Sequence, residues 1–391
     1  MATTLSPAAL LRTPLYQFHI DHGAKMVDFA GWEMPMLYAR PGGGGGIVEE
    51  HNAVRTSGGL FDVSHMGRLK ITGLHAAAFL ERVCTRRIRD MKVGQCRYAL
   101  VCNESGGVMD DVIVYRIDED DFLVVVNASN REKIVSHFKR VMAAESRKVK
   151  MDDQTMSTTM VALQGPKVVE FVGKFSREIP TLKRYSFAVK NLLIVKLYVS
   201  RTGYTGEDGV EVILPAAMTG MAMKMILKDA DPKDPNSIIK PAGLGARDTL
   251  RMEAGMPLYG HELNEETSAL AAGLDFAIAL DKDTGERPEP FIGLDALKRT
   301  RDAGGPARRL VGLRLEGKRS ARQGMGVLVD GKSAGTVTSA CPSPTLGCSI
   351  AMAYLEKEKV AEGTKVEVDT GKGERIAGEV VKLPFYKVKK G

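Results

Sequence analysis

Apolar and polar positions between residues 74 and 142 repeat with the periods of two helices and a hairpin. Apolar residues recur at helical spacing in LHAAAFLERVC (74–84), while RYALVC (97–102) alternates as a strand does. The runs VIVYRI (112–117) and FLVVVN (122–127) flank the acidic turn DEDD, which predicts a β-hairpin. ASNREKIVSHFKRVM (128–142) then has an Asn/Ser start signal and helical spacing. This order of elements indicates an α+β module with an antiparallel sheet.

Later segments show similar patterns around a second glycine-rich turn. The runs LLIVKLYVS (192–200) and GVEVILP (209–215) flank the turn RTGYTGEDG, which predicts two strands. In IIKPAGLGARDTLRMEAGMPLYG (238–260), Pro241 suits the first turn of a helix and Gly255 suits its C-terminal cap. These residues therefore predict two strands followed by a helix.

Two regions depart from this mixed pattern. The run PGGGGG (41–46) predicts a flexible loop, because glycine loses much backbone entropy inside a helix or strand. It is not a dinucleotide-binding fingerprint, since Ile47 stands where a third glycine is needed. From about residue 306 onward, short apolar runs alternate with Gly and Asp turns, with almost no helix. That pattern predicts a separate small β-barrel.

Length and composition are those of an ordinary globular protein. The 391 residues predict roughly two or three domains, with 44% hydrophobic and 26% charged residues. No apolar run approaches the roughly 18 residues of a membrane span, so we expect a soluble protein without a membrane partner. The five cysteines form no close C-x-x-C pair, which predicts reduced thiols.

The net charge of +7 narrows the range of partners only slightly. A basic chain can bind nucleic acid, an acidic protein or an anionic substrate. Here the basic residues are scattered among acidic ones and are not interleaved with aromatics, which favours a solvated basic surface over a nucleic-acid site. Binding of an acidic protein partner is the second interpretation of the basic surplus. The N-terminal MATTLSPAALLRTPLY is compatible with the stub of a transit peptide and with an ordinary terminus.

Histidine and serine spacing predicts neither a metal site nor a serine hydrolase. His261 begins HELNEE, but a zinc protease needs a second histidine at the position of Glu265. No G-x-S-x-G elbow occurs. Asp62, Ser64 and His65 in FDVSHMG lie too close together on a strand to face one reaction centre.

Two adjacent carboxylates, Asp110 and Asp111, stand at the mouth of the predicted strand 112–117. Successive side chains of a strand point to opposite faces, so one of the two must face the apolar side. Burying a carboxylate there costs free energy unless a partner or ligand compensates. This pair is therefore a candidate for chemistry as well as for structure.

Three side chains form the strongest candidate site. Asp111 suits a general base or a proton-holding group whose pKa is tuned by burial. Glu211 suits a bidentate acceptor for two N–H donors, and Arg247 offers a guanidinium fork for an anionic or planar group. Each has a structural alternative: the aspartates could cap a turn, Glu211 could face solvent, and Arg247 could form a surface ion pair with Glu253 or Asp248.

Long motifs extend this site over residues 28 to 347. They occur in the order DFAGWEMP, LFDVSHMG, NESGGVMDD, RTGYTGEDGVEV, GARDTLRMEAGMPLYGHEL and TSACPSPTLG. In these motifs the chain resembles the aminomethyltransferase (T-protein) family of the glycine cleavage system. The resemblance implies a tetrahydrofolate-dependent enzyme without metal or flavin. It would take the aminomethyl group from the lipoyl arm of H-protein, release ammonia, and leave 5,10-methylenetetrahydrofolate and dihydrolipoyl H-protein.

The resemblance also assigns roles to individual residues. Asp111 matches the essential aspartate of the family and would face the folate near N5, while Asp110 faces the other way. Glu211 and Arg247 match residues that contact folate. The remaining matches are pocket residues: Tyr98, Tyr115, Val125, Asn127, Tyr204 and, more weakly, Met66. The chain departs from the family in its extra glycines and in Tyr386, which lies too near the PF motif to match a ligand-contacting tyrosine of some relatives.

By the same resemblance, the expected fold is α+β, with two interleaved α/β domains and a C-terminal β-barrel around a central folate channel. The first domain would comprise residues 1–60 and 155–255, the second 61–154 and 256–295, and the barrel 300–391. A monomer that binds H-protein and folate polyglutamate is expected. Its compartment would be the mitochondrial matrix if the chain is eukaryotic, and otherwise the bacterial cytoplasm.

Three other classes of protein compete with this interpretation. A non-catalytic folate-binding relative that acts in iron–sulfur assembly should carry a KGCYTGQE-like segment with a reactive cysteine, whereas this chain has RTGYTGEDG. Enzymes that oxidise sarcosine or dimethylglycine share the fold but need a flavin domain with its glycine fingerprint. A nucleic-acid-binding protein remains open on charge alone, and a salt-dependent gel shift would detect it.

Overall fold

The computed structural model describes residues 9–39, 45–192, 195–228, 234, 237–317, 319–371 and 373–388. The helices in these ranges are α1 Tyr16–Asp21, α2 Ile47–Thr56, α3 Ala76–Val83, α4 Arg131–Ala144, α5 Val168–Gly173, α6 Thr219–Lys228, α7 Leu244–Glu253 and α8 Leu294–Asp302. The strands before the barrel are β1 Leu11–Arg12, β2 Ala24–Phe29, β3 Trp32–Tyr38, β4 Gly59–Asp62, β5 Gly67–Thr72, β6 Cys96–Cys102, β7 Val108–Asp118, β8 Asp121–Val126, β9 Lys150–Asp153, β10 Thr158–Gln164, β11 Phe187–Leu192, β12 Val195–Ser200, β13 Gly209–Pro215 and β14 Lys240–Pro241. Those of the barrel are β15 Arg308–Leu315, β16 Gly326–Val329, β17 Lys332–Ser343, β18 Cys348–Glu356, β19 Lys365–Asp369 and β20 Arg375–Val381.

These strands form three open sheets and one closed barrel. A three-stranded sheet has the order β1-β3-β2, a five-stranded sheet the order β6-β7-β8-β5-β9, and a six-stranded sheet the order β11-β12-β13-β10-β4-β14. The barrel closes in the order β15-β18-β17-β16-β19-β20. The predicted α+β fold with a C-terminal β-barrel is therefore confirmed. Where the domains begin and end stays a prediction.

The β7–β8 hairpin confirms the sequence prediction and places the acidic pair. Its antiparallel register sets Ile113 opposite Val125. Val112 and Val114 pack into the core beneath α3 and α4, where Phe79 and Phe138 meet edge to face at 5.2 Å. Such an aromatic contact contributes about 0.5–1.5 kcal/mol beyond burial. Because side chains alternate along a strand, the residues between these valines face away from that core.

Helix α4 begins at Arg131, after a single 3₁₀ turn over residues 128–130. The predicted start signal is present, but the side chain of Asn130 makes no capping hydrogen bond to the helix. It donates instead to Asp110 at 2.7 Å. A residue type that commonly caps helices thus holds a buried carboxylate of the neighbouring strand.

Helix α7 corrects one prediction. Pro241 does not lie in its first turn: it belongs to β14, which pairs in parallel with β4 through Leu60, and the helix begins at Leu244. Proline lacks a backbone donor and suits such a short edge strand. Gly255 follows the helix end with a φ of +62°, as its predicted capping role requires. The helix packs against β3, α2 and β17.

Other predictions meet the structure only in part. The segment predicted as one strand over 192–200 is divided, since β11 ends at Leu192 and β12 begins at Val195. In the glycine run, residues 41–44 lie outside the described residues, as do residues 1–8 of the N-terminal segment. All five cysteines are free. Within the described ranges, no helix has the length and apolar character needed to cross a membrane.

Candidate active site

A cavity of about 1750 Å³ lies among the β7–β8 hairpin, β13, α7 and the barrel. It is larger than the ~300–1,000 Å³ of an ordinary small-molecule pocket, so it has room for parts of two ligands. Every site residue predicted from the sequence lines it: Met66, Tyr98, Asp111, Tyr115, Val125, Asn127, Tyr204, Glu211 and Arg247. Residues separated by up to 181 positions in the chain therefore share one wall.

The acidic pair divides between the two faces of its strand. Asp110 is completely buried and accepts hydrogen bonds from the backbone N–H of Asn127 at 3.0 Å, from its side-chain amide at 2.8 Å, and from Asn130. Asp111 lines the cavity and accepts the Tyr98 hydroxyl at 3.2 Å and the Asn127 amide at 2.7 Å. Asn127 therefore fixes both carboxylates, and the turn-capping alternative does not apply.

Both carboxyl groups hold protons more tightly than ordinary aspartates. Burial raises the pKa of Asp111, and the hydrogen bonds from Asn127 and Tyr98 only partly offset it. Burial also raises the pKa of Asp110, and the neighbouring charge of Asp111 raises it further. No Lys, Arg or His of the described chain forms an ion pair with either of them. Such a carboxyl group can exchange a proton near neutral pH.

Glu211, on β13, is buried rather than solvent-facing. Its Oε2 accepts the Thr202 hydroxyl at 2.5 Å. Thr202 and Ser200 share a hydrogen bond at 2.7 Å, and Ser200 and the Tyr115 hydroxyl share another at 3.0 Å. This chain of hydroxyl groups fixes the carboxylate against the cavity wall and explains the place of Tyr115 in the site.

Arg247, on α7, does not form the surface ion pair considered from the sequence. Asp248 pairs with Arg251 at 2.8 Å, and the Arg247 guanidinium lies 4.8 Å from the centre of the Tyr204 ring. Its Nη1 is buried and has no hydrogen-bond partner within the described chain, which is costly for a charged donor. The Tyr204 hydroxyl donates to the carbonyl of Pro257 at 2.5 Å. An acceptor on a ligand would satisfy the guanidinium.

Val125 and Met66 complete the apolar part of the wall. Val125 is a buried core residue of β8, and Met66 packs against the same core cluster. Met66, the weakest of the family matches, thus both packs against the core and lines the cavity. Tyr386 packs its ring 4.1 Å from the Arg55 guanidinium and is not part of the cavity lining.

Sequence reasoning did not assign Asn130 and Phe276 to this site, and it considered His65 only as a hydrolase residue. Asn130 supports Asp110 from behind, and only its helix-start position drew notice. Phe276 lines the cavity and stacks on Tyr98 with ring centres 6.0 Å apart, without any local signal in the sequence. His65 is buried in the wall, and burial lowers its pKa to about 4, so the ring is neutral. It does not join Asp62, which pairs with His19 at 2.9 Å instead.

The described residues contain no group of three or more His, Cys, Asp or Glu side chains arranged to hold a metal ion. What the cavity offers instead is one proton-exchanging carboxyl group, one fixed carboxylate, one under-satisfied guanidinium and several aromatic walls. Such a site can bind a planar, polar ring by paired hydrogen bonds and hold a proton acceptor beside it.

Two family models match the chain. The GCVT N-terminal domain covers residues 15–282, and the glycine cleavage T-protein C-terminal barrel domain covers residues 308–387. A structure titled as glycine cleavage system aminomethyltransferase T from Bartonella henselae is 31% identical, with a TM-score of 0.86 over 97% of this chain and 98% of that one. The family models and the fold thus define the class of this protein as a tetrahydrofolate-dependent transferase with a T-protein barrel.

Sequence relatives complete the identification. An aminomethyltransferase of Rubrobacter xylanophilus is 46% identical over 383 residues, which cover 97% of this chain and 95% of the relative. One from Geobacillus thermodenitrificans is 42% identical over 380 residues, covering 97% and 99%. The chain belongs to the aminomethyltransferase family of the glycine cleavage system. This membership excludes the other protein classes that the sequence left open. These relatives are bacterial and give the mitochondrial expectation no support.

Proposed function

We propose that the chain transfers a methylene carbon from the aminomethyl-lipoyl arm of H-protein to tetrahydrofolate. The products are 5,10-methylenetetrahydrofolate, ammonia and dihydrolipoyl H-protein. One observation carries the proposal for this cavity: a carboxyl group with a raised pKa, Asp111, shares its walls with Glu211 and an under-satisfied Arg247. Family membership supports the reaction, and the geometry supports the assignment of roles.

The donor set fits a reduced pterin. Pterin N–H groups are natural donors to the fixed Glu211 carboxylate, and a ring oxygen or nitrogen is a natural acceptor for Arg247. Tyr204 and Tyr98 offer aromatic walls for a flat ring. The volume of about 1750 Å³ leaves space for a second, slender substrate such as the lipoyl arm. Tetrahydrofolate would supply the nucleophilic N5 that accepts the carbon.

Asp111 acts on this pterin as the proton-handling residue. Its carboxylate would orient the N5 amine and take up its proton as N5 bonds to the methylene carbon. In the complete reaction the new bonds of this carbon to N5 and N10 replace its bonds to the amino nitrogen, which leaves as ammonia, and to the lipoyl sulfur, which leaves as the thiol. Tyr98 and Asn127 keep the carboxylate in place by their hydrogen bonds. The raised pKa makes the carboxylate a stronger base than an exposed aspartate would be. Asp110 is a positioning residue, because its carboxylate accepts hydrogen bonds from Asn127 and Asn130 and is not part of the cavity lining.

Single-turnover formation of methylenetetrahydrofolate from aminomethylated H-protein tests these roles. Asp111→Asn should slow the reaction by about 10²–10⁴-fold, the usual contribution of general acid–base catalysis. Folate affinity, measured by calorimetry, should change little, because Glu211 and Arg247 remain. Asp152→Asn is the matched control, since Asp152 is an exposed residue of the same sheet.

Asp110→Asn gives a different signature. An asparagine there would set its NH₂ group against at least one of the three N–H donors, because two of them reach Oδ1 and one reaches Oδ2. We therefore expect a lower melting temperature rather than a selective loss of turnover. Normal single-turnover rates in Asp111→Asn would show that the acidic pair is structural and that the proposed mechanism is wrong.

A further inference from the structure

A small basic pocket adjoins the main cavity. It has a volume of about 190 Å³, and its wall contains three arginines, Arg86, Arg87 and Arg97, together with Asp90 and Phe276. Phe276 also lines the main cavity, so the two spaces share a rim. The small pocket is below the ~300 Å³ of a typical ligand site, and therefore suits a short charged group rather than a ring system.

The three arginines differ in their partners. Arg87 forms an ion pair with Asp281 at 2.9 Å, and Arg97 forms one with Asp90. Arg86 has no ion pair and no side-chain hydrogen bond within the described chain. Burial, followed by repulsion from Arg97, lowers its pKa. Asp90 attracts Arg86 but is already paired with Arg97, and Arg87 is paired with Asp281, so the pocket keeps a net positive charge at Arg86.

This pocket lies close to the chemistry. The Phe276 ring stacks on Tyr98, and the Tyr98 hydroxyl donates to Asp111. On the same rim, Tyr185 lines the main cavity and feels the charge of Arg86. Phe276 and Tyr98 thus lie between Arg86 and the carboxyl group of Asp111. Phe276 lines both the main cavity and the pocket that contains this guanidinium.

We propose that Arg86 is the centre of a carboxylate-binding subsite at the rim of the active-site cavity. A planar guanidinium pairs best with the two oxygens of a carboxylate, and a pocket of this size holds one such group. Two substrates of the proposed reaction carry carboxylates outside their reacting ends: the glutamate tail of folate and the acidic side chains of a carrier protein. The inference rests on the proposed function for these two sources, while the subsite itself rests on the geometry.

Binding measurements test the subsite without turnover. Arg86→Gln is compared with the unmodified protein for three ligands: tetrahydrofolate monoglutamate, tetrahydrofolate triglutamate and lipoylated H-protein. A charged hydrogen bond at a part-exposed site predicts a rise of about tenfold in one Kd, and this rise should shrink at roughly 0.5 M salt. Weaker binding of the folates identifies the tail as the source, and weaker binding of H-protein identifies the carrier.

Two controls isolate the position. Arg87→Gln removes a charge that Asp281 already balances, so we expect a change below about threefold. Arg375→Gln removes an arginine on the far barrel strand β20, where it pairs with Glu367, and should change nothing. Unchanged Kd values for all three ligands in Arg86→Gln overturn the subsite, as does equal weakening by Arg86→Gln and Arg375→Gln. The proposed function fails separately, through normal turnover in Asp111→Asn.

Discussion

The buried carboxylate of Glu253 and the buried pair Asp110 and Asp111 have very different surroundings. At the C-terminal end of α7, Glu253 contacts two basic side chains, Arg55 at 2.8 Å and His51 at 3.2 Å. Ser343 and Thr345 of the barrel also donate to it, at 2.5 and 2.7 Å. On the hairpin, Asp110 and Asp111 receive only amide and hydroxyl donors from within the described chain.

Opposite pKa shifts follow from this difference. Burial alone would raise the pKa of Glu253, but hydrogen bonds from His51, Ser343 and Thr345 bring it down to about 2. The aspartates keep the upward shift that burial imposes. A buried carboxylate that pairs with basic side chains, such as Glu253, stays ionised and links separate elements of the fold. A buried carboxyl group without a basic partner, such as Asp111, can exchange a proton near neutral pH.

Removing the paired carboxylate should have the largest effect on stability. Glu253→Gln removes the anion that Arg55 and His51 share, leaves Glu207 as the remaining carboxylate on Arg55, and weakens the contact of α7 with the barrel. Breaking a buried ion pair costs about 3–5 kcal/mol in the free energy of unfolding. Urea denaturation measures it, with Asp152→Asn as the exposed control. A decrease in the free energy of unfolding below about 1 kcal/mol would show that Glu253 does not stabilise the fold through its ion pairs, and would contradict the comparison.

The free energy of unfolding should change with pH in opposite directions for Glu253 and Asp111. Glu253 contributes stability that is complete above its unfolded pKa of about 4.3 and is lost as the pH falls toward about 2. For Asp111 the folded pKa is raised, so its contribution is greatest below the unfolded pKa of about 3.9 and declines as the pH rises through the folded value.

Asp111→Asn should therefore flatten the decline in unfolding free energy between roughly pH 4 and 7, by about 1.4 kcal/mol for each pH unit of the pKa shift. Glu253→Gln should flatten the opposite slope below roughly pH 4. Urea unfolding at a series of pH values measures both. Parallel stability curves for Asp111→Asn and the unmodified protein would contradict the raised pKa.

The smallest expected effect concerns one hydrogen bond. Tyr98→Phe removes the 3.2 Å donor to Asp111, which favours the charged carboxylate. Without it the pKa of Asp111 should rise by up to about one unit, equivalent to about 1.4 kcal/mol. The acidic limb of the single-turnover rate profile should move to higher pH by that amount, while the rate at high pH changes little. Tyr16→Phe, at a distant tyrosine, is the control, and an unmoved limb would remove Tyr98 from the mechanism.

Local patterns in the sequence predicted the elements that carry the site. The alternation in β7 and β8, the helical spacing in α3 and α4, and the short strands of the barrel each reflect burial against a near neighbour. The candidate residues came from long motifs and a family resemblance. All nine line one cavity, although their individual roles remain proposals.

The rest depended on contacts that no local pattern encodes. The sequence predicted Pro241 in the first turn of a helix. In the structure it pairs with Leu60, 181 residues earlier in the chain, and no local pattern indicates such a distant partner. His51 donates to or accepts from Thr345, 294 residues away. Phe276 and Asn130 join the site through tertiary packing on Tyr98 and Asp110. A single sequence shows which residue types are present, but not which distant element satisfies them.

The alternation of side chains along β7 limits how the length of this strand can change. Inserting or deleting one residue before Asp111 would rotate the following side chains to the opposite face, so that Val112 and Val114 would enter the cavity and Tyr115 would enter the core. A length change of one residue within this strand would therefore exchange its two faces, whereas a change of two residues would keep each side chain on its own face. After a one-residue insertion ahead of the pair, Asp110 would present a carboxylate where Asp111 had been, whereas after a deletion Val112 would take that position.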